Sequence, residues 1–191
     1  SPSVNLGFSF SMESMPPGDR EKMVTAYAAS LFEFDPARAM GLMAEVDPGL
    51  AGQKAESKFS AWANLDPAAA MNWLSENRPE TQDNQRLYVN GISQWLESDA
   101  PAASQWLSQE PPGELRDAMV ARLIRHEVND DPEGAFAWGV TFSDPEKRER
   151  AVIAIFQVWQ ECTPDAAAQA LQSAPIPPET IHHLLQQQGV P

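Results

Sequence analysis

The sequence lacks most of the features that would identify a chemistry. Cys162 is the single cysteine, so the chain has no internal disulfide and no multi-cysteine metal site. No run of about eighteen apolar residues occurs, so no membrane-spanning helix is predicted. Glycine-rich phosphate loops, Gly-x-Ser-x-Gly and metalloprotease helix motifs are also missing. We therefore predict no catalytic residues, no cofactor and no metal ion, and we expect a non-enzymatic protein.

Basic residues are scarce as well. The 191 residues include 13 Lys and Arg against 27 Asp and Glu, which gives a net charge of −14. Nucleic acids and anionic membranes are bound through basic surface, so the sequence excludes both as direct partners. Apolar residues make up 42% of the chain, which is enough for a core.

The sequence does contain a recurring motif. LDPAAAMNWL at 65–74 returns as DAPAASQWL at 99–107 and DPEGAFAWG at 131–139, with fainter copies at 35–43 and 163–171. Each copy contains one Asp or Thr that is called its cap below. Successive caps are spaced by 31, 33, 32 and 32 residues, and they are Asp35, Asp66, Asp99, Asp131 and Thr163. Proline follows in four copies, and an Asp-Pro or Thr-Pro pair is typical of a helix start. A fixed period of this size indicates stacked helix pairs.

Each copy predicts one buried helical stripe. Position four after the cap is always alanine, and positions seven and eight are mostly tryptophan and leucine. These offsets share one helical face. The helix before each cap is also amphipathic, and four of the five copies have a large apolar residue four positions before the cap and four have one seven positions before it. We expect six largely buried tryptophans in a continuous seam: Trp62, Trp73, Trp95, Trp106, Trp138 and Trp159.

The pattern predicts an all-α protein. Residues 17–191 are expected to form a single helical-repeat domain, an α-α superhelix (solenoid) of about five helix-turn-helix repeats of ~32 residues. Residues 1–16 are expected to be extended or disordered. The predicted helices are 19–33, 36–44, 49–64, 67–76, 82–98, 101–109, 113–128, 132–141, 145–161, 164–172 and 178–188.

The repeat resembles tetratricopeptide-type solenoids over nearly the whole chain. It departs from them in its shorter period, its shorter first helix and the absence of the W-x2-L-G-x2-Y pattern. The Trp…Asp-Pro…Ala…Trp-Leu phrase is similar to tandem repeats of exported or membrane-attached bacterial proteins. That resemblance, with a chain that begins SPSV rather than Met, favours an exported or periplasmic location.

The N-terminal stretch 4–12, VNLGFSFSM, alternates apolar and other residues with period two, which indicates an extended segment. It is either a linker or a segment that lies against a groove of the array. The groove would belong to its own chain or to a neighbour, which leaves self-association open.

Other candidate sites have simpler explanations. The stretch 129–134 faintly resembles a calcium loop, but Val140 stands where such a loop needs Glu. His182 and His183 are adjacent on a helix and diverge by about 100°, so they cannot share a metal. Cys162 is predicted to be a buried small residue.

The predicted partner-binding surface starts from position five after the cap. Met40, Met71 and Phe136 occupy it at the edge of the stripe, where flexible apolar side chains suit adaptable contact. Asn72 and Gln105, one position later, would add polar donors. The alternative is that the apolar residues pack on the adjacent short helix.

Glu127 breaks the rule of its position, which is Leu or Trp in the other copies. Either the helix end exposes it, or it finds a donor such as Arg122, Arg125 or His126, or it docks a partner's basic group. Together these features predict a non-enzymatic scaffold that binds a protein or peptide. The alternative is a helical accessory domain of a larger exported or membrane-linked enzyme or complex.

Overall fold

The computed structural model describes residues 16–46, 53–77 and 82–187. Within these ranges the chain is all-α and has no strand, which confirms the prediction of an all-α protein. The helices are α1 (Pro17–Leu31), α2 (Pro36–Val46), α3 (Gln53–Leu65), α4 (Pro67–Asn77), α5 (Gln82–Gln109), α6 (Glu114–Glu127), α7 (Pro132–Gly139), α8 (Pro145–Cys162), α9 (Pro164–Gln172) and α10 (Pro178–Gln187).

The chain forms two compact units, Ser1–Leu87 and Tyr88–Pro191, called the N-terminal and C-terminal units below. In the N-terminal unit α1 packs on α2, and α3 packs on α2 and α4. In the C-terminal unit α7 packs on α6 and α8, and α9 packs on α8 and α10. The predicted domain boundaries stay predictions, and the predicted extended stretch 4–12 lies outside the described residues.

The predicted caps begin the helices that follow them. The carboxylate of each cap aspartate accepts the backbone N–H three residues later, at 2.9–3.1 Å, in Asp35, Asp66, Asp99 and Asp131. At Asp99 the backbone leaves the helical region (φ −156°, ψ 78°), so α5 contains the predicted boundary between two helices. Thr163 occupies the same repeat position but its hydroxyl makes no capping bond. The sequence prediction is therefore wrong for that side chain.

The contrast between these caps gives a stability prediction. Asp99→Ala removes the bond to the Ala102 amide and should lower the free energy of unfolding by about 1 kcal/mol. Thr163→Ala removes no capping bond and should change it by less than about 0.5 kcal/mol. Urea denaturation followed by circular dichroism at 222 nm measures both. Equal losses would contradict the assignment of Asp99 as the stronger cap.

A further cap starts α8. The Asp144 carboxylate accepts the Lys147 amide N–H at 2.9 Å, and this bond holds the pKa of Asp144 below its usual range. Because the folded pKa is lowered, the cap stabilises the fold above the pKa of the unfolded chain. Its contribution is lost as the pH falls through the lowered folded pKa.

The core follows the repeat. The alanine at position four is fully buried in every copy: Ala39, Ala70, Ala103, Ala135 and Ala167. Trp62, Trp95 and Trp159 are buried, whereas Trp73, Trp106 and Trp138 are half-buried. Within one copy the tryptophan four before the cap touches the one seven after it. Ring centroids lie 6.0 Å apart for Trp62 with Trp73 and 6.1 Å apart for Trp95 with Trp106.

The copy that carries Glu127 lacks this indole pair. There the guanidinium of Arg116 lies over the Trp138 ring, 5.5 Å from its centroid. The cation covers an aromatic face that no neighbouring indole covers. Phe136 of the same copy instead packs on Trp159, with centroids 5.4 Å apart.

A buried polar pair near the start of α6 holds the next turn of the chain. Asp117, 1% exposed, accepts the Ser143 amide N–H at 3.0 Å and the Asp144 amide N–H at 3.2 Å. Arg116, also buried, donates to the hydroxyl of Thr141 at 3.2 Å and to its carbonyl at 3.4 Å. The pair thereby fixes the segment that leads into α8.

The same device recurs 32 residues later, at Arg148 and Glu149. Arg148 donates to the carbonyls of Phe142 and Pro175, each at 3.0 Å. Glu149 accepts the Thr180 hydroxyl. In both copies an arginine and the acid after it lie near the start of a long helix and hold backbone or side-chain groups of neighbouring segments. We call each pair an Arg–acid clamp.

Candidate partner-binding clefts

The sequence-predicted contact surface is wrong at its apolar positions. Met40 and Met71 are fully buried and Phe136 is 7% exposed, so these side chains belong to the core. The buried or half-buried positions four, five, seven and eight of the short helix span an arc of about 160° rather than a narrow stripe, and position five lies within that arc. Asn72 and Gln105 are exposed, as their predicted role requires, and partner binding there stays a prediction.

The structure describes Cys162 and the histidines of α10. Cys162 is exposed at the end of α8, so the prediction that it is buried is wrong. Within α10 the Nε2 atom of His182 lies 2.7 Å from the Nε2 atom of Gln186. No cluster of three or more His, Cys, Asp or Glu residues that could hold a metal ion occurs among the described residues. Within the same ranges no helix is both long and apolar enough to cross a membrane.

Glu127 is half-buried at the end of α6. Burial raises the pKa of its carboxyl above the usual range, the negative charge of Asp131 raises it further, and His126 opposes the rise. The position that holds Leu or Trp in the other copies therefore carries an acid that is disfavoured as an anion. Docking of a basic partner group at Glu127 stays a prediction.

The raised pKa predicts a pH-dependent effect of Glu127→Gln. The contribution of Glu127 to stability is present below the pKa of the unfolded chain and is lost as the pH rises through the higher folded pKa. At pH 7 the variant should therefore be more stable than the parent, by under about 0.5 kcal/mol because solvent screens a half-exposed group. Near pH 3.5 the two should match. Urea midpoints at both pH values measure the effect, and a variant less stable at pH 7 would contradict it.

One cleft lies in the N-terminal unit, beside α1, α2 and α3. Its volume is about 260 Å³, and it is lined by Thr25, Ala28, Ala29, Phe32, Met43, Ser57 and Lys58. The ammonium group of Lys58 lies over the Phe32 ring, 4.8 Å from its centroid. Among the residues that the structure describes, the lining of this cleft is thus mainly apolar and includes one cation, Lys58.

A second cleft lies in the C-terminal unit, between α5 and α6. Its volume is about 230 Å³, and it is lined by Ser93, Leu96, Glu97, Arg122, Arg125 and His126. Leu96 is buried, and the charged side chains around it are exposed. This cleft is therefore polar and rich in cations, with one buried apolar residue in its lining.

The two clefts use equivalent positions of the repeat. Phe32 and Leu96 each stand three residues before a cap, and Ala29 and Ser93 stand six before it. Ser57 and Arg122 each stand nine before the following cap. In both clefts residues of two long helices from successive copies of the sequence pattern lie together, and the residue at each position sets the chemistry of the cleft. The sequence analysis missed them, although three of the C-terminal residues were named there as donors to Glu127.

Two large apolar side chains stand in solvent at another shared position. Phe34 and Leu65 are both 84% exposed, and each directly precedes a cap aspartate. Single exposed apolar residues are common on proteins. Here two exposed apolar side chains occupy the same repeat position, and both lie on the surface of the N-terminal unit.

Comparison with known proteins gives no match: no family model, no curated protein and no solved structure is detectably similar to the chain.

Proposed function

We propose that the chain is a non-enzymatic scaffold whose helical repeats stack as an α-α superhelix and bind a segment of a partner protein. The observation that carries this proposal is the recurrence of a cleft at equivalent repeat positions in both units. A cleft that arises from the repeat itself offers successive side chains of a partner a series of similar subsites. Solenoid proteins bind extended partners through such repeated surfaces.

The size of the clefts favours partner side chains over a small-molecule substrate. Volumes of about 260 and 230 Å³ lie below the roughly 300–1,000 Å³ of typical ligand pockets. Each cleft has room for one or two side chains. The buried apolar residue with a polar surround also matches a protein interface, in which an apolar centre is surrounded by polar groups.

Filling the clefts tests the proposal. Random dodecapeptides displayed on phage would be selected on the immobilised chain, and binders would be measured by fluorescence polarisation. Ser57→Trp fills the N-terminal cleft and Ser93→Trp fills the C-terminal one. We expect each selected peptide to lose at least tenfold in affinity with one of these variants, because the indole occupies the volume that the peptide needs.

Two exposed positions outside the clefts provide matched controls. Ala61→Trp on α3 and Gln157→Trp on α8 add the same side chain and should change affinity less than twofold. Circular dichroism verifies folding, and Ser93→Gln narrows the cleft if Ser93→Trp does not fold. Selection of no peptide, or binders insensitive to both cleft-filling variants, would exclude the proposed function.

A further inference from the structure

The C-terminal cleft concentrates positive charge in a strongly acidic protein. Arg122 and Arg125 lie one turn apart on α6, next to His126, and all three side chains are exposed. The chain as a whole carries −14. Two of its 13 basic residues thus line one cleft of about 230 Å³.

Neither of these two arginines forms an ion pair with a residue in the part of the chain that the structure describes. Among the described residues that line the cleft, Glu97 is the one acid. Each guanidinium carries five N–H donors and matches a carboxylate with two parallel hydrogen bonds. Carboxylates are therefore the complementary groups for this cleft.

The remaining lining residues narrow the ligand further. Leu96 offers a buried apolar contact and Ser93 a hydroxyl, and the volume allows one or two side chains beside them. A nucleic acid or an anionic membrane would extend far beyond the cleft and meet the net negative charge of the chain. A short peptide experiences mainly the nearby cations, because charges beyond about 8 Å are screened at physiological salt.

We infer that the C-terminal cleft binds a peptide segment that carries Asp or Glu carboxylates on either side of an apolar residue. This inference rests on the proposed function and specifies the partner of one of its clefts. The N-terminal cleft has Ser57 where this one has Arg122, and Ala29 where it has Ser93. The described lining of the N-terminal cleft offers the single ammonium of Lys58, whereas that of the C-terminal cleft offers two guanidinium groups, so we assign the preference for several carboxylates to the C-terminal cleft.

Designed peptides test the inference directly. The probe is a fluorescein-labelled nonapeptide with two acidic residues on each side of a central leucine. One control peptide has the acids replaced by their amides, and a second has the leucine replaced by serine. We expect the acidic probe to bind at least tenfold more tightly than the amide peptide and several-fold more tightly than the serine peptide. Raising the salt from 50 to 300 mM should weaken the acidic probe most.

A double variant places the effect in the cleft. R122Q/R125Q removes two exposed cations and should weaken the acidic probe at least tenfold. R20Q/K22Q removes two exposed cations from α1, with the same change in net charge, and should alter binding less than twofold. Equal binding of the acidic and amide peptides, or equal losses in the two double variants, would overturn the inference. So would a deoxythymidine oligonucleotide or a phosphatidylserine vesicle that binds as tightly as the acidic probe.

The outcomes separate this inference from the proposed function. If Ser93→Trp blocks library-selected peptides while R122Q/R125Q binds the acidic probe like the parent, the scaffold function stands and the acid preference fails. If neither Ser57→Trp nor Ser93→Trp affects any peptide, the proposed function fails.

Discussion

Replacing Trp95 by alanine should lower the free energy of unfolding by about 3–5 kcal/mol. Trp95 is 6% exposed, and its ring packs against Trp106 at a centroid distance of 6.1 Å. The substitution removes a large buried apolar surface and leaves a cavity that the surrounding helices fill only in part. Urea denaturation of both proteins, followed by circular dichroism at 222 nm, measures the loss.

Trp106→Ala is the matched control for this result. It removes the same ring contact, which contributes about 0.5–1.5 kcal/mol beyond burial. Trp106 itself is only half-buried, so less apolar surface is exposed and no closed cavity forms. Its loss should be at least about 1 kcal/mol smaller than that of Trp95→Ala. If both variants lose the same amount, burial at Trp95 does not dominate its contribution.

The helices were predictable because their signals are local. An aspartate followed by proline provides both a side-chain acceptor and a pre-set backbone angle, and α2, α4 and α7 each begin at the proline after such an aspartate. Even the break inside α5 follows from the cap at Asp99. The alanine row was equally predictable, since its period places it on one helical face.

The burial of particular side chains was less predictable because it depends on neighbouring helices. The spacing of Met40 and Met71 gives the direction in which their side chains point from the helix axis. It does not give how much of the helix circumference the neighbouring helices bury. The same limit applies to the tryptophans, of which those before the cap are buried and those after it are half-buried. Cys162 has a small side chain at a helix end, and its exposure there could not be deduced from the sequence.

The clefts were hidden for a related reason. Each cleft combines residues from helices of two successive copies. Aligning the copies compares residues at the same position in each copy, and it does not show which different positions lie together in space. Glu127 stands out in the sequence because the other copies have Leu or Trp at the same position. Arg122 and Arg125 were considered only as its donors, whereas the structure places them with Ser93 and Leu96 in a cleft. Residues nine before one cap lie near residues three and six before the preceding cap. Comparing these positions together would have indicated that the cleft recurs.

The Arg–acid clamps were also overlooked, although their period of 32 residues is visible in the sequence at 116–117 and 148–149. Charged residues near a helix start are ordinarily read as solvated surface or as partners of the helix dipole. Asp117 is instead 1% exposed, and two backbone amides of a later turn depend on its carboxylate. A buried charge with well-formed hydrogen bonds is costly to alter, because its donors are left without acceptors.

Asp117→Asn should therefore lower the free energy of unfolding by about 2–3 kcal/mol. The carboxamide has nearly the same size but a single acceptor oxygen, and its NH2 group faces the backbone donors of Ser143 and Asp144. Hydrogen exchange measured by NMR should show lost protection at these two amides first, since Asp117 accepts both. Asp130→Asn makes the same change of charge at an exposed site and should stay within about 0.5 kcal/mol of the parent. An Asp117→Asn protein with parental stability and unchanged exchange at Ser143 and Asp144 would show that the clamp does not hold this turn.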